Sequence, residues 1–169
     1  MKINIASNEV IHFIGIGGIG MSGLAQIMNN MGFAIQGSDL SHNKNIDRLI
    51  KGGIKVYFGH HQKNLNKTTM IVVSSAIKKN NKELLAARKK KLPIFKRGEM
   101  LANIVALKKN IVVTGSHGKT TTTSLVANIL VEAGLDPTVI NGGVINSLKN
   151  NAQLGKGEWA VIESDESDG

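Results

Sequence analysis

The feature that most constrains this chain is a pair of glycine loops, each set between an apolar run and a helical pattern. Gly15-Ile16-Gly17-Gly18-Ile19-Gly20 follows Val10 to Ile14, and Gly115-Ser116-His117-Gly118-Lys119-Thr120-Thr121 follows Ile111 to Thr114. A short apolar run that ends in such a loop and passes into a helix reads as a βα unit, and successive βα units build a parallel sheet. The rest of the chain keeps that rhythm. Strands are expected near Val10 to Ile14, Phe33 to Gly37, Lys55 to Phe58, Met70 to Ser74 and Pro93 to Phe95, with helices at Ile19 to Met31, Asn45 to Lys51, Lys82 to Lys90 and Arg97 to Leu107. The apolar runs are continuous, as strands covered on both faces should be.

The expected fold is therefore α/β: a Rossmann-like parallel-sheet domain over residues 1–108, then the first part of a P-loop-type α/β ATPase domain over residues 109–169. Lys108-Lys109-Asn110 marks the boundary, because the strand–loop–helix rhythm restarts just after it. In the first domain Met21, Leu24, Ile27, Met28 and Met31 fall at helical spacing and read as a core stripe. In the second, a helix from Thr120 to Ala133 places Leu125, Val126, Ile129, Leu130 and Ala133 on one apolar face, with Gly134 closing it. Pro137 to Asn141 and Trp159 to Glu163 read as strands around a Gly/Asn-rich loop at 142–157. A parallel sheet seldom ends so soon, so the second domain is expected to be incomplete.

Composition sets the class. With 41% apolar and 20% charged residues the chain has the makeup of a soluble globular protein, and its lack of cysteine excludes disulfides, thiolate metal sites and cysteine nucleophiles. No apolar run reaches 18 residues, so no membrane partner is expected, and the N-terminus lacks the apolar core of a signal peptide, which makes a cytoplasmic location the expectation. The net charge of +9 is unevenly spread: residues 158–169 hold five acids and no Lys or Arg. All but three cations (Arg48, Arg88, Arg97) are lysine, which suits a solvated surface better than a nucleic-acid interface, and no nucleic-acid partner is expected.

The first loop matches G-x-G-x-x-G. Missing side chains let backbone N–H groups approach a diphosphate, and the following helix adds partial positive charge. Alone the string is weak; its strand–loop–helix setting strengthens it. Asp39 ends the second strand, where a dinucleotide fold places a ribose-binding acid, but within Ser38-Asp39-Leu40-Ser41 it reads equally well as a turn or capping residue.

The second loop is the rarer pattern. Backbone amides of Gly115 to Thr121 can cradle phosphates, Lys119 can reach the β and γ oxygens, and the Thr120 hydroxyl can ligate Mg²⁺. It departs from the usual spacing because Val113 stands where a leading glycine would be. His117 either contacts substrate or points to solvent. Glu163-Ser164-Asp165-Glu166-Ser167-Asp168 lies at the carboxyl end of a strand, where α/β sheets place ligands, and Glu163 is the candidate metal carboxylate; an acidic solvated loop is the plainer alternative.

Taken in order, His12 to Gly23, Gly37-Ser38-Asp39, Gly59-His60, Ser74-Ser75-Ala76-Ile77, Arg97-Gly98-Glu99-Met100-Leu101, Gly115 to Thr123 and Glu163 to Asp168 resemble the Mur ligase family. The resemblance covers the chain from about Ile11 onward. It implies an ATP-dependent amide-forming ligase of peptidoglycan biosynthesis, in which ATP phosphorylates the lactyl carboxylate of UDP-N-acetylmuramate and L-alanine attacks the acyl phosphate. It implies that Gly17, Gly18, Ile19, Gly20, Met21 and Ser22 hold the UDP diphosphate, and that Ser38, Asp39, His60, Ser74, Ser75, Ala76 and Arg97 line the nucleotide's pocket. Gly115, Ser116, His117, Gly118, Lys119, Thr120 and Thr121 would form the ATP loop, Lys119 stabilising the transferred phosphoryl group and Thr120 with Glu163 holding Mg²⁺. Asn141, Gly142 and Gly143 resemble a substrate-facing turn, and Ser116 stands where the family usually has Thr.

Three other readings stay open on sequence: a nicotinamide-dependent oxidoreductase built on the first loop, another ligase of the same family such as one recycling murein peptides or adding glutamate to folates, and a UDP-sugar-binding fragment without activity of its own. The first leaves Gly118-Lys119-Thr120 unexplained.

Overall fold

A computed structural model describes residues 9–141 and 152–164 of the chain. It divides into two compact units between Met100 and Leu101.

The first unit holds strands β1 (Val10–Ile14), β2 (Ala34–Asp39), β3 (Lys55–Phe58), β4 (Met70–Val73) and β5 (Ile94–Lys96), in the spatial order β3-β2-β1-β4-β5. Every neighbouring pair is parallel; Ile11 faces Ile35 on one side and Met70 on the other. The strand order reverses at β1, and a doubly wound sheet opens its ligand crevice at the carboxyl end of such a switch strand. The first glycine loop leaves from that end.

Helices α1 (Ile19–Asn30), α2 (Lys44–Lys51), α3 (Lys82–Lys89) and α4 (Arg97–Ala106) alternate with these strands, and a short 3-10 helix (Gln62–Leu65) precedes β4. Met21, Leu24, Ile27 and Met28 are buried as the stripe requires, each contributing about 1.5–3 kcal/mol. Met31 departs from the stripe: it is the C-cap of α1 and is 39% exposed. Two helices begin on asparagine caps absent from the sequence reading. The Asn43 Oδ1 accepts from the backbone N–H groups of Asn45 and Ile46, and the Asn81 Oδ1 from those of Glu83 and Leu84. By contrast α1 starts at Gly18 with no side-chain cap and no acid in its first turn, which leaves its opening N–H groups available to an anion.

The second unit contains β6 (Lys109–Val113), α5 (Lys119–Glu132), β7 (Thr138–Ile140), β8 (Ala152–Gln153) and β9 (Trp159–Glu163), ordered β6-β9-β7-β8. The first three pair in parallel and β8 is antiparallel to β7, so the segment expected to be all loop contains an edge strand. Strand β6 starts at Lys109, within the run taken as a boundary. Lys108 is structural too: its Nζ donates to the carbonyls of Gly155 (3.0 Å) and Gly157 (2.6 Å). Burial pulls its ammonium below the usual lysine range, and Asp136 offsets part of that.

Helix α5 differs from its expected face. Thr123 and Ala127 are its buried positions, whereas Leu125 is 59% and Ile129 68% exposed and Ala133 is exposed as well. Short side chains let the helix lie close on β6 and β9, which turns the larger ones outward. Gly134 adopts φ +73°, and the N–H groups of Gly134 and Leu135 bond back to the carbonyls of Val131 and Leu130, the Schellman closure its position predicts.

Candidate functional site

In the first unit the glycine loop is tied down by residues arriving from β2 and the start of α2. The N–H groups of Gly15 and Ile16 both donate to the Ser38 carbonyl, and the Gly17 N–H donates to Asp39 Oδ2 at 2.8 Å. Asn43 and Asn45 donate from their side-chain amides to the Gly17 carbonyl. The second oxygen of Asp39 accepts from the N–H groups of Leu40 and Ser41. Of the two readings of Asp39, the geometry realises the turn-forming one and adds a purpose: its carboxylate sets the shape of the loop.

Arg97, the first residue of α4, reaches the same loop. A Cβ placed on Gly20 would lie 2.5 Å from Arg97 Nη1 and 3.0 Å from its Cζ, so the absence of a side chain there lets the guanidinium lie against the opening turn of α1. Burial lowers its pKa from the usual arginine value. A cation beside the positive end of a helix is unfavourable unless an anion joins them, and that is the arrangement a diphosphate completes.

Ser74 caps the end of β4 next to this loop. Its N–H donates to the Ile14 carbonyl, its Oγ accepts from the Ala76 N–H, and Ser75 and Ala76 are exposed. Two expected pocket residues face elsewhere. Met21 is 2% exposed, its side chain spent in the core, and Ser38 is fully buried with its hydroxyl donating to Glu83. The Ile19 side chain lies outside the described residues.

Below Ser38 lies a polar cluster that sequence reading missed. The Glu83 carboxylate is 2.5 Å from Ser38 Oγ, 2.7 Å from Asn64 Nδ2, 3.2 Å from His60 Nδ1 and 3.4 Å from His12 Nε2. Gln36 Nε2 donates to the Asn64 carbonyl and to Thr68 Oγ1, and stands 3.3 Å from His12 Nδ1. Burial would raise the Glu83 carboxyl, but His12, Ser38 and Asn64 outweigh it and hold the group below the usual glutamate range. No local pattern announces such a residue, since an acid in the first turn of a helix is ordinarily a solvated one.

In the second unit the loop leading into α5 opens at the carboxyl edge of its sheet. Gly118 caps α5 at φ +75°, a conformation natural to glycine, and leaves the first N–H groups of the helix without a side-chain cap. Lys119 folds its Nζ onto the Gly115 carbonyl at 2.8 Å. Thr120 Oγ1 lies 3.1 Å from each Glu163 oxygen, so a hydroxyl and a carboxylate 43 residues apart in sequence meet because Val113 and Glu163 are register partners of β6 and β9. Ser116, His117 and Thr121 are exposed, with His117 Nδ1 3.3 Å from Ser116 Oγ. Thr120 and Glu163 offer only hard oxygen donors, which fits Mg²⁺ completed by phosphate oxygens and water. The Asn141 Oδ1 is buried without a partner among the described residues. Gly142, Gly143, Asp165, Glu166, Ser167 and Asp168 lie outside them.

Comparison with known proteins agrees with both loops. Residues 10–109 match the family described as "Mur ligase family, catalytic domain" and residues 113–164 the "Mur ligase middle domain". The chain is 65% identical over all 169 residues to the UDP-N-acetylmuramate–L-alanine ligase of Pelagibacter ubique, covering 36% of it. It is 57% identical over 159 residues to the enzyme of the same name from Azorhizobium caulinodans, covering 34%. Among solved structures, the UDP-N-acetylmuramate-alanine ligase of Thermotoga maritima superposes with TM-score 0.66 at 36% identity, over 93% of this chain and 37% of that one. The ligase from Neisseria meningitides named for UDP-N-acetylmuramate and L-alanyl-γ-D-glutamyl-meso-diaminopimelate gives 0.66 at 33% identity, over 95% and 53%. The chain thus spans about a third of the length of the curated relatives it matches.

Proposed function

The chain belongs to the Mur ligase family, and on that premise we propose that it is the UDP-sugar-binding domain (residues 1–108) and the opening of the ATP-binding domain (residues 109–169) of an ATP-dependent ligase that joins L-alanine to UDP-N-acetylmuramate. What carries the reading is the 65% identity along the full chain to a ligase of that name. Its cellular place would be peptidoglycan biosynthesis in the cytoplasm; no helix among the described residues is long and apolar enough to cross a membrane.

In this reading the diphosphate lies against Gly17, Gly18, Ile19, Gly20, Met21 and Ser22 at the uncapped start of α1, where the N–H groups of Ile19, Gly20 and Met21 face it while those of Gly17 and Ser22 stay bonded to Asp39 and the Gly18 carbonyl, and Arg97 supplies the countercharge. Asp39 holds the loop; Ser74, Ser75, Ala76 and His60 line the nucleotide's pocket. Gly115 to Thr121 receive ATP. Lys119 must exchange its bond to the Gly115 carbonyl for a phosphate oxygen, and the Thr120–Glu163 pair must open to hold Mg²⁺. The metal would neutralise charge developing on the transferred phosphoryl group. Asn141 presents a buried oxygen that has no partner among the described residues at the end of β7, a position suited to the sugar-bearing substrate.

The chain alone is expected to bind UDP-N-acetylmuramate, to bind ATP weakly and to ligate nothing. Phosphate release with ATP, UDP-N-acetylmuramate and L-alanine tests this, and alanine-dependent release above the blank overturns it. The likeness to the Neisseria ligase favours a second reading, in which the sugar nucleotide is joined to a peptide. Joining the chain to the remaining two thirds of a relative and comparing L-alanine with the tripeptide separates the two. A nicotinamide-binding reading would require NADH to bind more tightly than the UDP-sugar.

A further inference from the structure

We propose that buried Glu83, acting with Ser38, is a positioning residue that fixes His60 in the Nδ1–H tautomer, so that Nε2 is presented to the bound nucleotide as a hydrogen-bond acceptor. The inference rests on the reading of His60 as a pocket residue, but its first test does not need that reading.

The argument is one of donors and acceptors. Glu83 is fully buried at the start of α3, and its two oxygens meet four polar groups: Ser38 Oγ, Asn64 Nδ2, His60 Nδ1 and His12 Nε2. A carboxylate so surrounded stays ionised, because each donor stabilises the charged form, and an ionised carboxylate can only accept. The single Ser38 proton is therefore committed to Glu83, across the short contact of 2.5 Å. That leaves Ser38 Oγ only its lone pairs for His60 Nδ1, 2.9 Å away, while Glu83 Oε2 also faces that nitrogen at 3.2 Å. Two acceptors converge on one ring nitrogen, which must carry the proton. His60 follows Gly59, directly after β3, at the same sheet edge as the first glycine loop, and the Gly59 N–H is itself bonded to the Asp39 carbonyl. With Nδ1 turned inward, Nε2 is the nitrogen left for a ligand.

The two N–H protons of the Gln36 amide go to the Asn64 carbonyl and Thr68 Oγ1, which leaves none committed to His12 Nδ1, 3.3 Å away, so these contacts do not fix the tautomer of His12. His12 Nε2 lies 3.4 Å from Glu83 and is buried without a hydrogen-bond partner among the described residues. Tyr57, whose hydroxyl is 3.5 Å from Gln36 Oε1, is the remaining titratable side chain at the cluster.

The experiment is long-range ¹H–¹⁵N correlation on the histidines of this chain at about pH 8, with calorimetric titration of UDP-N-acetylmuramate. The expected spectrum shows His60 as Nδ1–H. Glu83→Gln replaces one acceptor oxygen with a donor, so either Asn64 or the Ser38–His60 pair loses its partner. The His60 pattern should become mixed, and the affinity should fall about tenfold, the lower range for losing the partner that orients a functional histidine. His60→Ala should lose as much, and the double variant no more than either. An Nε2–H tautomer of His60 in the unsubstituted chain overturns the proposal whatever the ligand does. So does a Glu83→Gln affinity equal to that of the unsubstituted chain while His60→Ala is impaired. If UDP-N-acetylmuramate fails to bind the unsubstituted chain, the functional reading falls and the spectrum alone decides the clamp.

Discussion

Gly20→Ala separates binding from stability in a way the structure makes quantitative. The added methyl would sit 2.5 Å from Arg97 Nη1, 3.0 Å from Cζ and 3.1 Å from Cδ, closer than non-bonded carbon atoms approach. The obstructing atoms are the far end of a flexible side chain, so the backbone need not move; the guanidinium swings away from the opening turn of α1. For folding the change is nearly neutral: alanine is the better helix former by about 1 kcal/mol, which offsets the packing that Arg97 gives up. For binding it is not neutral, because a hydrogen bond to a charged group contributes about 1.5–3 kcal/mol, or roughly a 10- to 150-fold change in affinity. Calorimetric titration with UDP-N-acetylmuramate should show that loss, while thermal unfolding without ligand stays within a few degrees of the unsubstituted chain. Arg97→Ala should reproduce the loss without the steric term. If Gly20→Ala binds as tightly as the unsubstituted chain, Arg97 does not meet the diphosphate from the position seen here.

Two further outcomes follow from the same coordinates. Val112, Leu125, Ile129 and Val131 are each about half exposed or more on the second unit, and exposed apolar side chains favour self-association, so size-exclusion chromatography should show a concentration-dependent larger species that Leu125→Glu with Ile129→Glu abolishes; a monomer at all concentrations refutes this. The Glu83 pKa is lowered in the folded state, so its contribution is present above the unfolded value of about 4.3 and is lost as pH falls through the lower folded value. Urea midpoints of the unsubstituted chain should therefore decline between about pH 5 and pH 3, and Glu83→Gln, unable to ionise, should decline less steeply; parallel slopes would show that other carboxylates carry the acid limb.

What the sequence made legible was local. Strand–loop–helix junctions advertise themselves within a dozen residues, so β1 with α1 and β6 with α5 were placed to within two residues of where they lie. The face of α5 was not legible. Periodicity identifies an apolar stripe but cannot say whether the sheet takes the large residues or the small ones beside them, and here Thr123 and Ala127 permit the closer approach. Strand β8 was hidden for a different reason: two residues, Ala152 and Gln153, carry no alternation to detect, and their pairing to β7 is visible only in the assembled sheet.

The same division explains which site residues could be found and which could not. Each phosphate loop is contiguous, whereas the residues that give it function arrive through sheet register. Asp39 reaches Gly17 because β2 runs parallel beside β1, and Glu163 reaches Thr120 because β9 pairs with β6. Both acids end a strand, so the rule that ligands gather at carboxyl ends was enough to nominate them. Glu83 obeys no such rule. It starts a helix, and only the fold brings β1, β2, the loop after β3 and the 3-10 helix around it to bury it against two histidines, a serine and an asparagine. A buried carboxylate of this kind costs stability unless every donor is in place. The least legible residue of the site is for that reason the one whose replacement should tell most about how its neighbours are held.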